Sequence, residues 1–141
     1  MDQLAWWQLS PGFFAVKVAW KHLSVVGLAG AIEAVTGLPL IFFPQVLIRL
    51  LFGTDVMGVG LVLSRLAGIA LLALGLGCFL GRQEPGRSGA LAGMLTYNVL
   101  VTIYLAFVGL GTEFVGVLLW PAAALHAALT ALLAHLLIKT R

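Results

Sequence analysis

Residues 57–80 read MGVGLVLSRLAGIALLALGLGCFL, an uninterrupted apolar run that contains a single charged side chain, Arg65. At about 1.5 Å per residue, a helix of this length crosses the roughly 30 Å hydrocarbon core of a bilayer. The run does not alternate between apolar and polar residues, as the strands of a membrane β-barrel do. The stretch therefore predicts a membrane-spanning helix.

Three further apolar runs have a similar length. We predict spans at residues 22–44, 57–80, 88–110 and 114–138, so that residues 1–141 form one all-α transmembrane domain. The connections between the later runs are short, and short connections make neighbouring helices antiparallel. The predicted architecture is an integral membrane four-helix bundle with up-down-up-down topology.

The composition indicates the same class of protein. Hydrophobic residues make up 62% of the chain and charged residues 9%, against about 45–50% and about 25% in soluble domains. The net charge of +3 lies largely outside the apolar runs, where it acts as an orientation signal and does not indicate a nucleic-acid partner. We expect a lipid bilayer as the environment, most simply a bacterial cytoplasmic membrane.

Two segments are predicted to lie at the membrane surface. Residues 44–52 (PQVLIRLLF) form an amphipathic helix that Pro44 begins and Gly53 ends, and Asp55 is the expected N-cap of the second span. A short interfacial N-terminal segment precedes the first span, with aromatic anchors and snorkelling lysines at Trp6, Trp7, Trp20, Lys17 and Lys21.

The distribution of basic residues predicts the orientation. One side of the predicted bundle carries Arg49 alone, and Arg65 lies within a span. The opposite side carries Lys17, Lys21, Arg82, Arg87, Lys139 and Arg141. The positive-inside rule places this second side, and with it both termini, in the cytoplasm.

Two charged side chains fall inside predicted spans, where each costs about 2.5–3.5 kcal/mol. Glu33 has small neighbours at Ala29, Gly30 and Gly37, so its face is expected to point into the bundle. Counted from the outer ends of the spans, Glu33 lies about 16 Å deep and Arg65 about 12 Å deep. We therefore predict a Glu33–Arg65 ion pair, either as a structural pin between helices or as part of a binding site.

Further polar side chains are predicted at a similar depth. Asn98 lies on the third span, beside Tyr97, and His126 and Thr130 lie one turn apart on the fourth. With Glu33 and Arg65 they form a predicted polar cluster, which either bonds only to itself or binds a quinone head group, another small molecule or a proton.

The same predicted helices contain prolines and glycines that affect their shape and packing. Pro39 and Pro121 should distort the first and fourth spans on the outer side of the cluster and open a cavity toward that side. The spacings Gly77/Gly81 and Gly89/Gly93 predict close packing of the second and third spans.

Catalytic and metal-binding motifs are not evident. We find no nucleophile–base arrangement, phosphate loop or cluster of metal ligands, so a non-enzymatic role is favoured and no cofactor is predicted. His22 and His135, near the cytoplasmic ends of two spans, are the one pair that could ligate a b-type haem.

The chain resembles the DoxX-like group of small four-helix membrane proteins. The resemblance rests on the acidic first span with its prolines (Glu33, Pro39, Pro44), the LLFG segment at 50–53 and the Arg-Leu-Ala-Gly stretch at 65–68. Membership would imply a quinone-linked or accessory-subunit role.

Three functional hypotheses follow from the sequence. The first is a non-catalytic accessory or structural subunit that packs against other membrane proteins or against copies of itself. The second is a DoxX-like, redox-associated protein that binds a quinone or another small molecule at the polar cluster. The third is a haem-bearing electron carrier that uses His22 and His135.

The predicted topology can be checked with reporter fusions at Arg82 and Asp55. We expect the two fusions to label opposite sides of the membrane, with the Arg82 fusion on the cytoplasmic side. Labelling of both positions from the same side would contradict the four-span arrangement.

Overall fold

Four long apolar helices and one short helix make up the described part of the protein. The computed structural model describes residues 25–82 and 87–139, and these residues form no strand. The helices are α1 (Val25–Phe42), α2 (Pro44–Phe52), α3 (Val59–Leu80), α4 (Arg87–Gly111) and α5 (Leu119–Lys139). All but α2 are long and apolar enough to cross a membrane. The predicted all-α bundle with four spans is confirmed.

The outward faces of the spanning helices are apolar. In α3, 11% of an 18-residue apolar window is buried, and in α1, the most buried span, 39%. Large side chains such as Leu63, Ile69 and Leu76 are more than half exposed. A soluble protein does not present so much contiguous apolar surface to water, whereas a lipid bilayer covers it without cost.

Helices α1 and α3 pack backbone to backbone through two pairs of glycines. A Cβ atom on Gly30 would lie 2.6 Å from the carbonyl oxygen of Gly75, and one on Gly37 would lie 2.6 Å from that of Gly68. Because the contacts run forward along α1 and backward along α3, the two helices are antiparallel. The prediction that the small residues around Glu33 face another helix is confirmed.

Helices α4 and α5 form the second antiparallel pair. Gly109 near the end of α4 lies under Trp120 at the start of α5, where an added Cβ would approach the indole ring to 2.9 Å. Helix α1 packs mainly on α3 and α4 mainly on α5, while contacts between the two pairs are fewer. The bundle therefore has a seam between an α1–α3 pair and an α4–α5 pair.

The predicted packing of the second and third spans is wrong for Gly77, Gly89 and Gly93. A Cβ atom on Gly77, Gly89 or Gly93 would meet nothing within 4 Å. These glycines point away from the helix that they were expected to contact. The spacing of small residues predicts that a close contact can form, but it does not identify the partner helix.

The amphipathic helix α2 has the predicted bounds. It begins at Pro44 and ends at Phe52, and Gly53 follows in the left-handed conformation with a φ of 69°. The Gly53 N–H donates to the carbonyl of Arg49 at 2.9 Å, which is a common way to close a helix. Asp55 is not the N-cap of the second span. Instead its carboxylate lies 3.9 Å from the Arg49 guanidinium at the exposed surface.

The fourth span begins at Leu119, five residues later than predicted. The preceding loop packs on α2, where the Gly116 N–H donates to Leu51 and the Leu118 N–H to Leu50, at 2.9 and 2.8 Å. These carbonyls belong to the last turn of α2 and have no partner within that helix. Pro121 consequently lies in the first turn of α5, where a backbone N–H would have no partner within the helix, so the N–H that proline lacks costs nothing. The predicted distortion of a helix interior therefore does not arise at Pro121.

Several predicted features lie outside the described residues. They are the interfacial N-terminal segment with its tryptophans and lysines, His22, and residues 83–86 of the turn between the second and third spans.

The glycine contacts predict that substitution by alanine has different effects at the neighbouring positions Gly75 and Gly77. In Gly75→Ala the new methyl group would lie 2.6 Å from the Ala34 nitrogen, and backbone cannot yield as a side chain can. We expect a loss of about 1–3 kcal/mol in the free energy of unfolding, the usual cost of overpacking.

Gly77→Ala is the matched control, because its methyl group meets nothing within 4 Å. It should be neutral, or stabilising by up to about 1 kcal/mol through helix propensity. Thermal unfolding in mild detergent compares the two variants, and equal midpoints would contradict the backbone contact.

Candidate functional site

Polar side chains from three helices meet in the middle of the bundle. Glu33 on α1 and Asn98 on α4 are 1% and 0% exposed, and the His126 side chain on α5 is 12% exposed. Glu33 stands on one side of the seam, and the other two stand on the opposite side. We refer to Glu33, Tyr97, Asn98, His126 and Thr130 as the midbundle cluster.

Asn98 fixes the hydrogen-bonding state of His126. Its Nδ2 donates to the Met94 carbonyl at 2.9 Å, which turns its Oδ1 toward His126 Nδ1 at 2.8 Å. An amide oxygen only accepts hydrogen bonds, so Nδ1 must carry the proton in this contact. The neutral imidazole then has its lone pair on Nε2. Asn98 thereby selects one tautomer of the histidine, and this contact requires no charge on the ring.

Glu33 is only partly satisfied by its neighbours. The Tyr97 hydroxyl donates to its carboxyl group. The carboxyl oxygen Oε1 lies 3.7 Å from His126 Nδ1, which is too far for a hydrogen bond. It has no hydrogen-bond partner among the described residues, although it is buried.

Tyr97 is a member of the cluster that the sequence did not single out. Its ring meets His126 edge to face, with centroids 5.9 Å apart and an angle of 74° between the planes. The sequence placed Tyr97 beside Asn98, on an adjacent face of the same helix. The length of the tyrosine side chain was the signal that the sequence offered. From an adjacent face of the helix, a phenol hydroxyl can contact a group that a shorter side chain would not reach.

Thr130 lies one turn beyond His126 and its hydroxyl is also buried without a partner. Other hydroxyls in the spanning helices donate to the carbonyl four residues earlier: Thr36 to Ile32, Ser64 to Gly60 and Thr102 to Asn98, at 2.7 to 2.9 Å. Thr130 does not make this local bond. Its hydroxyl and Glu33 Oε1 are the two buried side-chain polar atoms without a partner in the part of the chain that the structure describes.

Arg65 lies outside the midbundle cluster, and the predicted Glu33–Arg65 ion pair is wrong. The arginine is on the exposed side of α3, whereas the basic group within 4 Å of Glu33 is His126. The depth of a residue in the membrane can be estimated by counting residues in the sequence. The rotation of α3 about its own axis cannot, because it depends on which face of α3 packs on α1. Gly68 and Gly75 occupy that face, and Arg65 is turned about 100° from its neighbour Ser64, which is buried on it.

Apolar layers enclose the cluster at both ends. On the side away from α2, all four spanning helices contribute to a buried core of Val26, Ala29, Cys78, Leu91, Met94, Leu129 and Leu133. On the side toward α2, Leu40, Leu105, Val108, Leu119 and Ala123 are buried. The cluster is thus a polar layer in an otherwise apolar interior.

Three open cavities of about 390 to 520 Å³ lie at the α2 end of the bundle. Their walls come from α2, the loops beside it and the end of α4, and none of the three reaches Glu33 or His126. The predicted cavity between the cluster and this end therefore stays a prediction.

The haem hypothesis also stays a prediction. His135 is exposed near the end of α5, and His22 is not among the described residues. Within the described ranges, no group of three or more His, Cys, Asp or Glu side chains is arranged to hold a metal ion.

Comparison with known proteins gives no relative from which a role could be transferred. No family model, curated protein or solved structure matches the chain. The resemblance to the DoxX-like group accordingly stays a prediction.

A double-mutant cycle tests the contact between Asn98 and His126. We expect Asn98→Leu and His126→Leu together to cost less than the sum of the single losses, with a coupling of about 0.6 to 1.7 kcal/mol, as for other hydrogen bonds between membrane helices. Glu33→Gln and Arg65→Gln provide the control cycle, and their effects on thermal stability in detergent should add. Coupling in the control cycle alone would contradict the geometry of the cluster.

Proposed function

We propose that the protein is a membrane-embedded binding protein whose midbundle cluster receives the hydrogen-bond-donating group of a small amphipathic molecule. The observation that carries the proposal is Glu33 Oε1, a buried carboxyl oxygen that has no hydrogen-bond partner among the described residues. Leaving a buried acceptor unpaired costs about 1–3 kcal/mol, and more for a charged group. A ligand that donates to Oε1 would recover this energy on binding.

The surroundings of Glu33 support a binding role over a purely structural one. An ion pair or hydrogen bond that serves only to hold helices together satisfies both of its partners. Here the nearest basic group, His126, gives its Nδ1 proton to Asn98 and stays 3.7 Å from the carboxyl oxygen. Thr130 adds a second free polar atom on the same side of the seam as His126.

A ligand would reach the midbundle cluster through the seam between the α1–α3 pair and the α4–α5 pair. Glu33 belongs to the α1–α3 pair, and Tyr97, Asn98, His126 and Thr130 belong to the α4–α5 pair. The glycine contacts hold each pair together internally, while the two pairs have fewer contacts with each other. A small separation of the pairs would expose Glu33 without breaking either close contact.

A quinol is one chemical class that this site would accept. Its hydroxyl group can donate to Glu33 Oε1 and its ring and tail are apolar, as are the layers on both sides of the cluster. A quinol ligand would agree with the quinone-linked role that the resemblance to the DoxX-like group implies.

An accessory-subunit role is the second candidate, and it rests on Arg65. This guanidinium is exposed on a helix long enough to span a membrane, a position that costs about 2.5–3.5 kcal/mol near mid-bilayer. A carboxylate from a neighbouring membrane protein would offset that cost. Arg65→Gln would then weaken assembly with the partner but leave the midbundle cluster unchanged.

Native mass spectrometry of the protein released directly from membranes tests the binding proposal. We expect a small molecule other than bulk phospholipid to be retained by the unaltered chain and lost in Glu33→Leu, which removes both carboxyl acceptors at similar side-chain volume. Glu113→Leu is the matched control, because Glu113 is exposed in a loop. Equal retention by all three proteins, or none by any of them, would contradict the proposal.

A further inference from the structure

Glu33 differs by its position from the other acidic residues that the structure describes. The acidic residues are Asp2, Glu33, Asp55, Glu84 and Glu113. Of these, Glu33 alone falls within a helix of the described chain that is long and apolar enough to span a membrane. A carboxylate in such a place requires a counter-charge, which a bound proton, a basic side chain or a cationic ligand can provide.

The described residues offer Glu33 no dedicated basic partner. Arg65 faces outward from α3. His126 is the basic side chain within 4 Å, and its Nδ1 donates to Asn98 at 2.8 Å while Glu33 Oε1 lies at 3.7 Å. An imidazole held in this way satisfies its N–H donor without carrying a charge.

The other groups around Glu33 favour a cation over an anion. The cluster contains a carboxyl, a phenol, an amide, an imidazole and a hydroxyl, and so has no fixed positive charge. The apolar layers on both sides suit a ligand with a hydrocarbon body.

We infer that the midbundle cluster binds an amphipathic ammonium ion, whose N–H donates to Glu33 Oε1, in exchange for the proton of the Glu33 carboxyl group. This inference rests on the proposed binding function and specifies the ligand class. In the exchange the carboxyl O–H bond breaks, its proton leaves to water and the ammonium nitrogen keeps all of its protons. The net charge of the site is the same before and after, so the exchange avoids burying an unpaired charge.

The exchange makes binding depend on pH in a defined direction. Because the ammonium ion competes with a proton, its apparent affinity should rise with pH, by up to about tenfold per unit while Glu33 is mostly protonated. The titratable groups that face Glu33 are Tyr97 from α4, His126 from α5 and Cys78 from α3. Protonation of His126 would also weaken cation binding, so its contribution must be separated by mutation.

The test uses the full chain in phosphatidylcholine nanodiscs, with decylammonium and decanol as probes of equal chain length. Calorimetry measures binding, and an indicator dye in weak buffer measures released protons. An alkylammonium resembles the lysine side chain, with a pKa of about 10.4, and keeps its charge near neutral pH. We expect decylammonium to bind with proton release and with an affinity that rises with pH.

Glu33→Gln is the decisive variant, since it keeps an acceptor oxygen and removes the charge. It should weaken decylammonium binding by about ten- to a hundredfold, the range for a charge-assisted hydrogen bond, and abolish proton release. His126→Gln alters the binding site itself, so its affinity for decylammonium is expected to change. Proton release and the rise of affinity with pH should persist, because they belong to Glu33, and their loss would overturn the inference. Glu113→Gln is the matched surface control and should behave as the unaltered chain.

The outcomes separate the two proposals. In one outcome decanol binds, loses affinity in Glu33→Leu and keeps it in Glu33→Gln, while decylammonium does not bind. The ammonium inference then fails and the binding function stands. If neither probe responds to any substitution of Glu33, both fail. Thermal unfolding of each variant in the same nanodiscs shows whether a lost signal reflects lost structure.

Discussion

Direct contact between the backbones of α1 and α3 determines where the polar groups of this bundle can meet. Gly30 and Gly37 lie against Gly75 and Gly68 with no side chain between them. This fixes the rotation of α1 about its own axis as well as its distance from α3. Glu33 is turned by about 60° from Gly30 at 100° per residue, so its carboxyl group is directed past α3 toward α4 and α5. A bulkier residue at any of these glycines would displace the acid together with the helix.

The features that follow from local chemistry could be predicted from the sequence. Span number follows from apolar length, and the bounds of α2 follow from Pro44 and Gly53, residues with strong conformational preferences. The depth of Glu33, Asn98 and His126 follows from counting residues. The start of α5 could not be predicted in this way, because residues 114–118 are apolar enough for a span. They leave the helix because the backbone N–H groups of Gly116 and Leu118 bind α2, a contact between distant segments.

The failed pairing of Glu33 with Arg65 has a related cause. Hydrophobic periodicity is weak in a helix that is apolar on every side, so the sequence of α3 contains little information about its rotation. In a soluble helix the polar face would have placed Arg65 at the surface at once. Here the glycines mark the buried face of α3, but equally good candidates such as Gly77 face open space. Choosing between them requires the three-dimensional contact.

The main-chain bonds between α2 and the loop before α5 have a consequence for the order of assembly. The carbonyls of Leu50 and Leu51 receive their partners from Gly116 and Leu118, residues that are synthesised only after two further spans have been made. Until the third span has entered the bilayer, the last turn of α2 must rely on water or headgroups for these bonds. Because the bonds join backbone to backbone, they tolerate most side-chain changes. Gly116 is the exception, since an added Cβ would lie 2.7 Å from the Leu51 carbonyl carbon. Completion of α2 is thus a late step in biogenesis, coupled to insertion of the final hairpin.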